Sequence, residues 1–201
     1  VQVIAAGTYQ ALVANPDNAC TATQSYTVTM DTLSPVVSIA PPDTLNCAVS
    51  SVPLTGNDSD SGNGFSLSWS TGDGQLSAQT DQPDATANAP GTYTLFIENL
   101  ANGCTANQSV IVPQDTLSPI AQIAAADTLN CNISSIFLDA TGSSAGNTFA
   151  YAWTTGTGLL LSGADGPMPE AGAAGEYTLE VTNLQNFCTT TSSVTVPIDT
   201  L

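Results

Sequence analysis

Asp-Thr-Leu-Ser-Pro stands at 31–35 and again at 115–119, and Asp-Thr-Leu-Asn-Cys stands at 43–47 and again at 127–131. The first phrase starts a third time at Asp199-Thr200-Leu201. Each recurrence is 84 residues on, since 115 − 31 and 199 − 115 are both 84. A fixed period of this length marks a tandem array, and the recurring phrase marks its joint. The expected organisation is residues 1–30 as the C-terminal part of a preceding repeat, 31–114 and 115–198 as whole repeats, and 199–201 as the start of another. A unit of this size buries only about 60–65% of its unfolded surface, so a covalent staple would help it.

The cysteines follow the same period. Cys20, Cys104 and Cys188 form one series, and Cys47 and Cys131 form the other. Two per repeat, without His and without close C-x-x-C spacing, point to disulfides rather than zinc, and hence to an oxidising, extracellular setting. The expected bonds are within repeats, Cys47–Cys104 and Cys131–Cys188, with Cys20 paired upstream. The competing pattern, Cys20–Cys47 and Cys104–Cys131, staples neighbouring repeats across the joint.

Charge excludes whole classes of partner. The chain has 17 acidic residues and no Lys, Arg or His. Phosphate binding needs cations, so nucleic acid is not an expected partner, and an anionic membrane surface is disfavoured for the same reason. No apolar run is long enough to insert in a membrane as a helix. The expected role of the acidity is solubility and repulsion between neighbouring molecules.

Within a repeat the pattern is that of short strands. Phe65, Leu67 and Trp69 alternate with serines, and Phe149, Tyr151 and Trp153 repeat the alternation. Further strands are expected at 36–40, 49–54, near Leu76, at 85–87, 91–98 and 109–112, with counterparts in the next repeat. No helical period appears. About seven strands with regularly spaced turns predict an all-β chain of Greek-key β-sandwiches. Trp69 and Trp153 are expected in the core, and Tyr93 and Tyr177, just after glycines, are candidates for a tyrosine corner.

Taken in order, Leu45-Asn46-Cys47, Gly91-Thr92-Tyr93-Thr94-Leu95 and Asn102-Gly103-Cys104-Thr105-Ala106 resemble the Ig-like, PKD-like repeats of very large bacterial surface adhesins. These are of the Bacteroidota type and include the gliding-motility adhesins. The resemblance covers the whole chain. The second repeat departs from it at Asn186-Phe187-Cys188 and at Glu176. The resemblance implies tandem Ig-like domains, secretion, display at the cell surface and a stalk or fibre role. It also implies O-glycosylation at Asp-Thr-Leu, with acceptors Thr32, Thr44, Thr116, Thr128 and Thr200. The plain alternative is that Asp caps a turn and Leu packs between neighbouring domains.

Other sites are weaker. Asn57-Asp58-Ser59-Asp60 has the oxygen-rich look of a calcium loop, but the next repeat lacks both acids, so Asp58 and Asp60 are only marginal metal candidates. Asp31 with Asp43, or Asp115 with Asp127, offer few ligands for a shared ion. No catalytic constellation is visible: there is no His or Lys, and the acids sit mainly in loops. No cofactor is expected. Function is therefore expected to be structural, a disulfide-stapled extracellular stalk or fibre whose partners are neighbouring repeats, other fibre subunits or surface glycans. The alternative is a carbohydrate- or protein-binding module using loops 55–64 or 72–86.

Overall fold

The computed structural model describes residues 1–77 and 79–200. Leu201, the last residue of the third joint phrase, and Ala78, in loop 72–86, lie outside the described residues. Among the described residues all regular structure is strand. The chain opens with a hairpin, β1 (Gly7–Ala14) and β2 (Thr21–Val28). The first repeat then contributes β3 (Leu45–Asn46), β4 (Val52–Thr55), β5 (Phe65–Thr71), β6 (Asp84–Ala87), β7 (Gly91–Asn99) and β8 (Thr105–Val112). After β9 (Gln114–Asp115) the second repeat supplies β10 (Ile136–Phe137), β11 (Phe149–Thr155), β12 (Leu160–Ser162), β13 (Glu170–Ala171), β14 (Gly175–Asn183) and β15 (Thr189–Val196).

Each repeat is a sandwich of two sheets. One sheet of the first repeat orders β5-β7-β8 and the other pairs β4 with β6, extended by a bridge from Leu76 to Ala87. The second repeat has β11-β14-β15 facing β10-β13-β12. In the second repeat β10, β13 and β12 thus face β11, β14 and β15, the two-layer grouping of an immunoglobulin sandwich. The chain is a tandem of Ig-like β-sandwiches.

Period-2 alternation builds the core. Along β7, Tyr93, Leu95 and Ile97 are fully buried while their neighbours face outward, and β14 buries Tyr177, Leu179 and Val181 in the same way. These meet Val52, Leu54 and Ala87 from the opposite sheet in the first repeat, and Leu138, Ala140 and Ala171 in the second. Trp69 and Trp153 are buried among them, and each indole N–H finds a backbone carbonyl, Gln82 at 3.2 Å and Gly166 at 3.0 Å. A buried indole needs such a partner.

Both tyrosine corners form. The Tyr93 hydroxyl donates to the Ala89 carbonyl at 2.6 Å and accepts from the Gln75 N–H at 2.9 Å. Tyr177 does the same with Ala173 at 2.6 Å and Leu159 at 2.9 Å. The ring edge lies so close over Gly74, or Gly158, that a methyl group there would collide with the phenol. That is why the turn after β5 and β11 ends on glycine.

Two sequence expectations change. Residues 36–40 are extended but outside any named strand; they are tied by Ala40 N–H to Thr55 and by Asp60 N–H to Val36. The strand expected at 49–54 starts only at Val52, because the Asn46 side chain caps a turn over Ala48 and Val49.

Tyr177→Phe removes the hydroxyl that pairs the Leu159 and Ala173 backbone groups in part-buried hydrogen bonds. It is expected to cost the second repeat about 1–3 kcal/mol, read as a lower melting temperature in a thermal scan, with Tyr93→Phe doing the same to the first.

Candidate functional site at the repeat joint

The length of one strand decides the cysteine chemistry. β8 carries Cys104 just before its first residue and leads at its other end into Pro113, whose carbonyl accepts the Leu45 N–H at 3.0 Å. Cys47 follows directly on Leu45-Asn46, so it shares that far end. Eight residues of strand separate the two ends by about 26 Å, whereas a disulfide needs Cα atoms within about 7 Å. The expected Cys47–Cys104 bond is therefore not made. Cys131 and Cys188 stand apart for the same reason, with β15 between them.

The structure instead joins Cys47 to Cys188, with Cα atoms 5.1 Å apart and a sequence separation of 141. The bond crosses the joint. Cys47 brings the far end of the first repeat, and Cys188 brings the β14–β15 turn at the near end of the second. Neither the within-repeat pairing nor the competing Cys20–Cys47 and Cys104–Cys131 pattern is formed; Cys20, Cys104 and Cys131 are free thiols. Cross-linking a loop this long removes about 5 kcal/mol of unfolded-state chain entropy in the usual model.

Asn186 organises the contact around that bond. It is 1% exposed, although its side chain is polar. Its amide nitrogen donates to Asp115 Oδ1 at 2.8 Å and to the Leu117 carbonyl at 3.0 Å. Its Oδ1 accepts from Cys188 N–H at 3.0 Å, and its backbone carbonyl accepts from Cys47 N–H at 3.1 Å. One residue thus ties the near end of the second repeat to the linker and to the cysteine of the first. A buried amide is stable only when its groups are paired in this way.

The turn that presents Asn186 is tight. Phe187 adopts φ 58° where the first repeat has Gly103 at φ 72°. A phenylalanine in the left-handed region is strained by roughly 1–2 kcal/mol; glycine is not. The departure from Asn-Gly-Cys seen in the sequence is therefore a bulkier residue held in the same backbone shape.

The Asp-Thr-Leu phrases divide into two kinds. Asp31 and Asp115 cap turns, accepting from Leu33 N–H at 3.0 Å and Leu117 N–H at 3.1 Å. The leucines of these phrases, Leu33 and Leu117, are 76% and 78% exposed and pack between no domains. Leu45 and Leu129, from the second kind, are 2% and 3% exposed and belong to the core of their own repeat. Thr32, Thr44, Thr116, Thr128 and Thr200 are all exposed.

Loop 57–63 has a structural task. Asp60 Oδ2 accepts from Val36 N–H at 2.8 Å, and Ser59 both accepts from and donates to the backbone of Ser38. In the second repeat Ser144 accepts from Ile120 N–H at 2.9 Å, and Ser143 grips Gln122. Position 60 and its counterpart thus make the same bond with different side chains, which explains how the acid is dispensable there. Among the described residues no three His, Cys, Asp or Glu side chains converge on a common point.

A shallow groove of about 390 Å³ lies on the outer face of the β4–β6 sheet, lined by Pro53, Thr55, Gln79, Asp84 and Thr86. The matching face of the second repeat carries Phe137 and Leu161 on its strands and Met168 just before β13, all exposed. The two repeats therefore differ in chemistry on this face while sharing the joint.

No family model matches the chain, and no curated protein does. Solved structures with some likeness include multi-domain chains, among them tandem Ig domains. The I67–I69 fragment of titin is 12% identical, with 83% of this chain and 66% of that one covered and a TM-score of 0.41. Three N-terminal domains of the bacteriophage RB49 outer capsid protein Hoc are 16% identical over 82% of this chain and 59% of that one, at 0.43. Eight Ig domains of the Down syndrome cell adhesion molecule are 13% identical over 96% of this chain and 28% of that one, at 0.41. The chain spans less than two thirds of each.

The Asn186 amide, first, and the Leu117 N–H, second, hold the Asp115 carboxyl below its ordinary value. A depressed carboxyl stabilises the fold above its unfolded pKa and loses that contribution as pH falls through the folded value. Asn186→Ala is expected to raise the Asp115 titration midpoint toward the ordinary carboxylate range. Side-chain carboxyl NMR across acid pH measures it.

Proposed function

We propose that this chain is a segment of an extracellular stalk or surface fibre, in which Ig-like repeats are locked head to tail and spaced as rigid units. The observation that carries this reading is the Cys47–Cys188 bond. A disulfide inside a sandwich stabilises one domain; a disulfide across a joint restricts how two domains swing. Together with the Asn186 clamp it turns a flexible link into a stiff one. Structural disulfides persist in oxidising compartments, which fits an extracellular setting. The high negative charge keeps neighbouring fibres apart. Adhesion at a distance from the cell, as the sequence resemblance implies, is the use to which such a stalk is put.

The same reading includes O-glycan on Thr32, Thr44, Thr116, Thr128 and Thr200. All five threonines are exposed. Thr116 lies between Asp115 and Leu117, both bonded by Asn186 at the joint, and Thr32 stands in the matching turn capped by Asp31. A hydrated sugar there adds bulk where the domains would otherwise swing together.

The groove on the β4–β6 sheet favours a second reading, a module that binds a carbohydrate or a protein segment through Thr55, Gln79, Asp84 and Thr86. These side chains line the groove in one repeat, while exposed Phe137, Leu161 and Met168 stand on the same face of the other, so it would add a specificity to the stalk. Glycan-array binding that Asp84→Ala abolishes would establish it.

Imaging single molecules of the natively secreted protein tests the stalk. A narrow range of angles between repeats is expected, broadening after mild reduction while each sandwich keeps its far-ultraviolet spectrum. An angle distribution indifferent to reductant would remove the stiffening role. Mass spectrometry of the same sample is expected to find hexose-containing additions on the five threonines.

A further inference from the structure

The three Asn-x-Cys turns are one structure in three copies. Cys20, Cys104 and Cys188 N–H groups donate to Asn18, Asn102 and Asn186 Oδ1 at 3.0, 2.9 and 3.0 Å. The residue between is left-handed in each: Ala19, Gly103 and Phe187 at φ 59°, 72° and 58°. The receiving half of the joint is likewise repeated. Asn102 Nδ2 donates to the Leu33 carbonyl at 3.0 Å, as Asn186 does to Leu117.

The donating half is repeated too. Leu129 N–H donates to the Pro197 carbonyl at 3.0 Å, as Leu45 does to Pro113, and Leu129 bridges Ile198 in parallel as Leu45 pairs with Gln114. The Asn130 side chain caps Asn132 and Ile133 at 2.9 and 3.0 Å, as Asn46 caps Ala48 and Val49. Cys131 is therefore presented at the far end of the second repeat as Cys47 is at the far end of the first. Cys104 sits at the near end of the first repeat as Cys188 does at the near end of the second. Each is one side of a contact whose completed form is present in the same molecule.

We propose that Cys104 and Cys131 are half-sites for further disulfides of the Cys47–Cys188 kind. The partner of Cys104 is the Leu-x-Cys segment at the far end of another Ig-like repeat. The partner of Cys131 is the Asn-x-Cys turn at the near end of another. This rests on the stalk reading and specifies its covalent rule: every repeat is bonded once to the repeat before it and once to the repeat after it, and never to itself. Along one polypeptide such a bond spans 141 residues, as Cys47–Cys188 does.

The chemistry is thiol–disulfide exchange with a dithiol–disulfide oxidant. One cysteine thiolate attacks the oxidant's disulfide and forms a mixed disulfide, releasing one oxidant thiolate. The second cysteine thiolate then attacks the protein sulfur of that mixed bond and displaces the other. Two protein thiols become one disulfide, and two electrons and two protons pass to the oxidant.

The neighbouring repeat belongs either to the same polypeptide or to a second molecule, and the test separates these. Natively secreted full-length protein is alkylated without reduction, cleaved with chymotrypsin and a glutamate-specific protease, and mapped by mass spectrometry. The expected result is Cys104 and Cys131 unalkylated, each in a cross-linked peptide with a cysteine of the other series from another repeat. A denaturing gel without reductant assigns the source: a ladder that collapses on reduction means separate molecules, and one band of unchanged mass means one chain. Recovery of Cys47–Cys104 or Cys131–Cys188 peptides, or quantitative alkylation of Cys104 and Cys131, overturns the proposal. Cys104→Ser and Cys131→Ser are expected to abolish those cross-links and leave the Cys47–Cys188 peptide intact. Free Cys104 and Cys131 in molecules that still image as stiff rods would overturn the bonding rule alone and leave the stalk reading standing.

Discussion

Strands β8 and β15 each run the full length of a sandwich, and that length governs everything the cysteines do. A turn cysteine stands before the strand and a Leu-x-Cys segment lies beside its end, so the two thiols of one repeat stand at opposite poles. In a head-to-tail array opposite poles of successive repeats meet. The disulfide is thereby moved from the core, where antibody domains keep it, to the boundary between domains. The core is left to be held by packing, with Trp69 and Trp153 filling the centre without a disulfide to lean on.

Moving the covalent bond outward changes what it can do. A core staple acts mainly on the stability of one domain. The Cys47–Cys188 bond also fixes an orientation, because Asn186 holds both the linker at Asp115 and Leu117 and the cysteine at Cys47. The hydrogen bonds set the geometry and the disulfide makes it permanent. Phe187 in a left-handed conformation shows that this turn is kept even at a cost in strain. Between joints the two repeats have freedom to diverge, as the Gln79 and Asp84 of one groove and the exposed Phe137, Leu161 and Met168 of the other repeat illustrate.

Repetition also explains how the same task is done by different residues. Asp60 and Ser144 both accept from the backbone of the first extended segment. A carboxylate is sufficient there and a hydroxyl is too, so an acidic loop in one repeat carries no message about metal. Leu33 and Leu45 belong to the same three-residue phrase, yet one is solvent-exposed and the other is core.

Much of the architecture was legible in the residues alone. The 84-residue period, the alternation of Phe65, Leu67 and Trp69, and the glycine before Tyr93 and Tyr177 follow from local rules of strand pleating and turn chemistry, which act over a few residues. The pairing of the cysteines was not legible, because period and spacing are the same for a bond within a repeat and for one across a joint. Only the fold decides which thiols come within reach: strand length separates Cys47 from Cys104, and the stacking of one sandwich on the next brings Cys188 to Cys47. The burial of Asn186 belongs to the same class. Its side chain looks like ordinary turn chemistry in sequence, and it becomes the centre of a joint only when residues 71 positions away, at Asp115, arrive beside it.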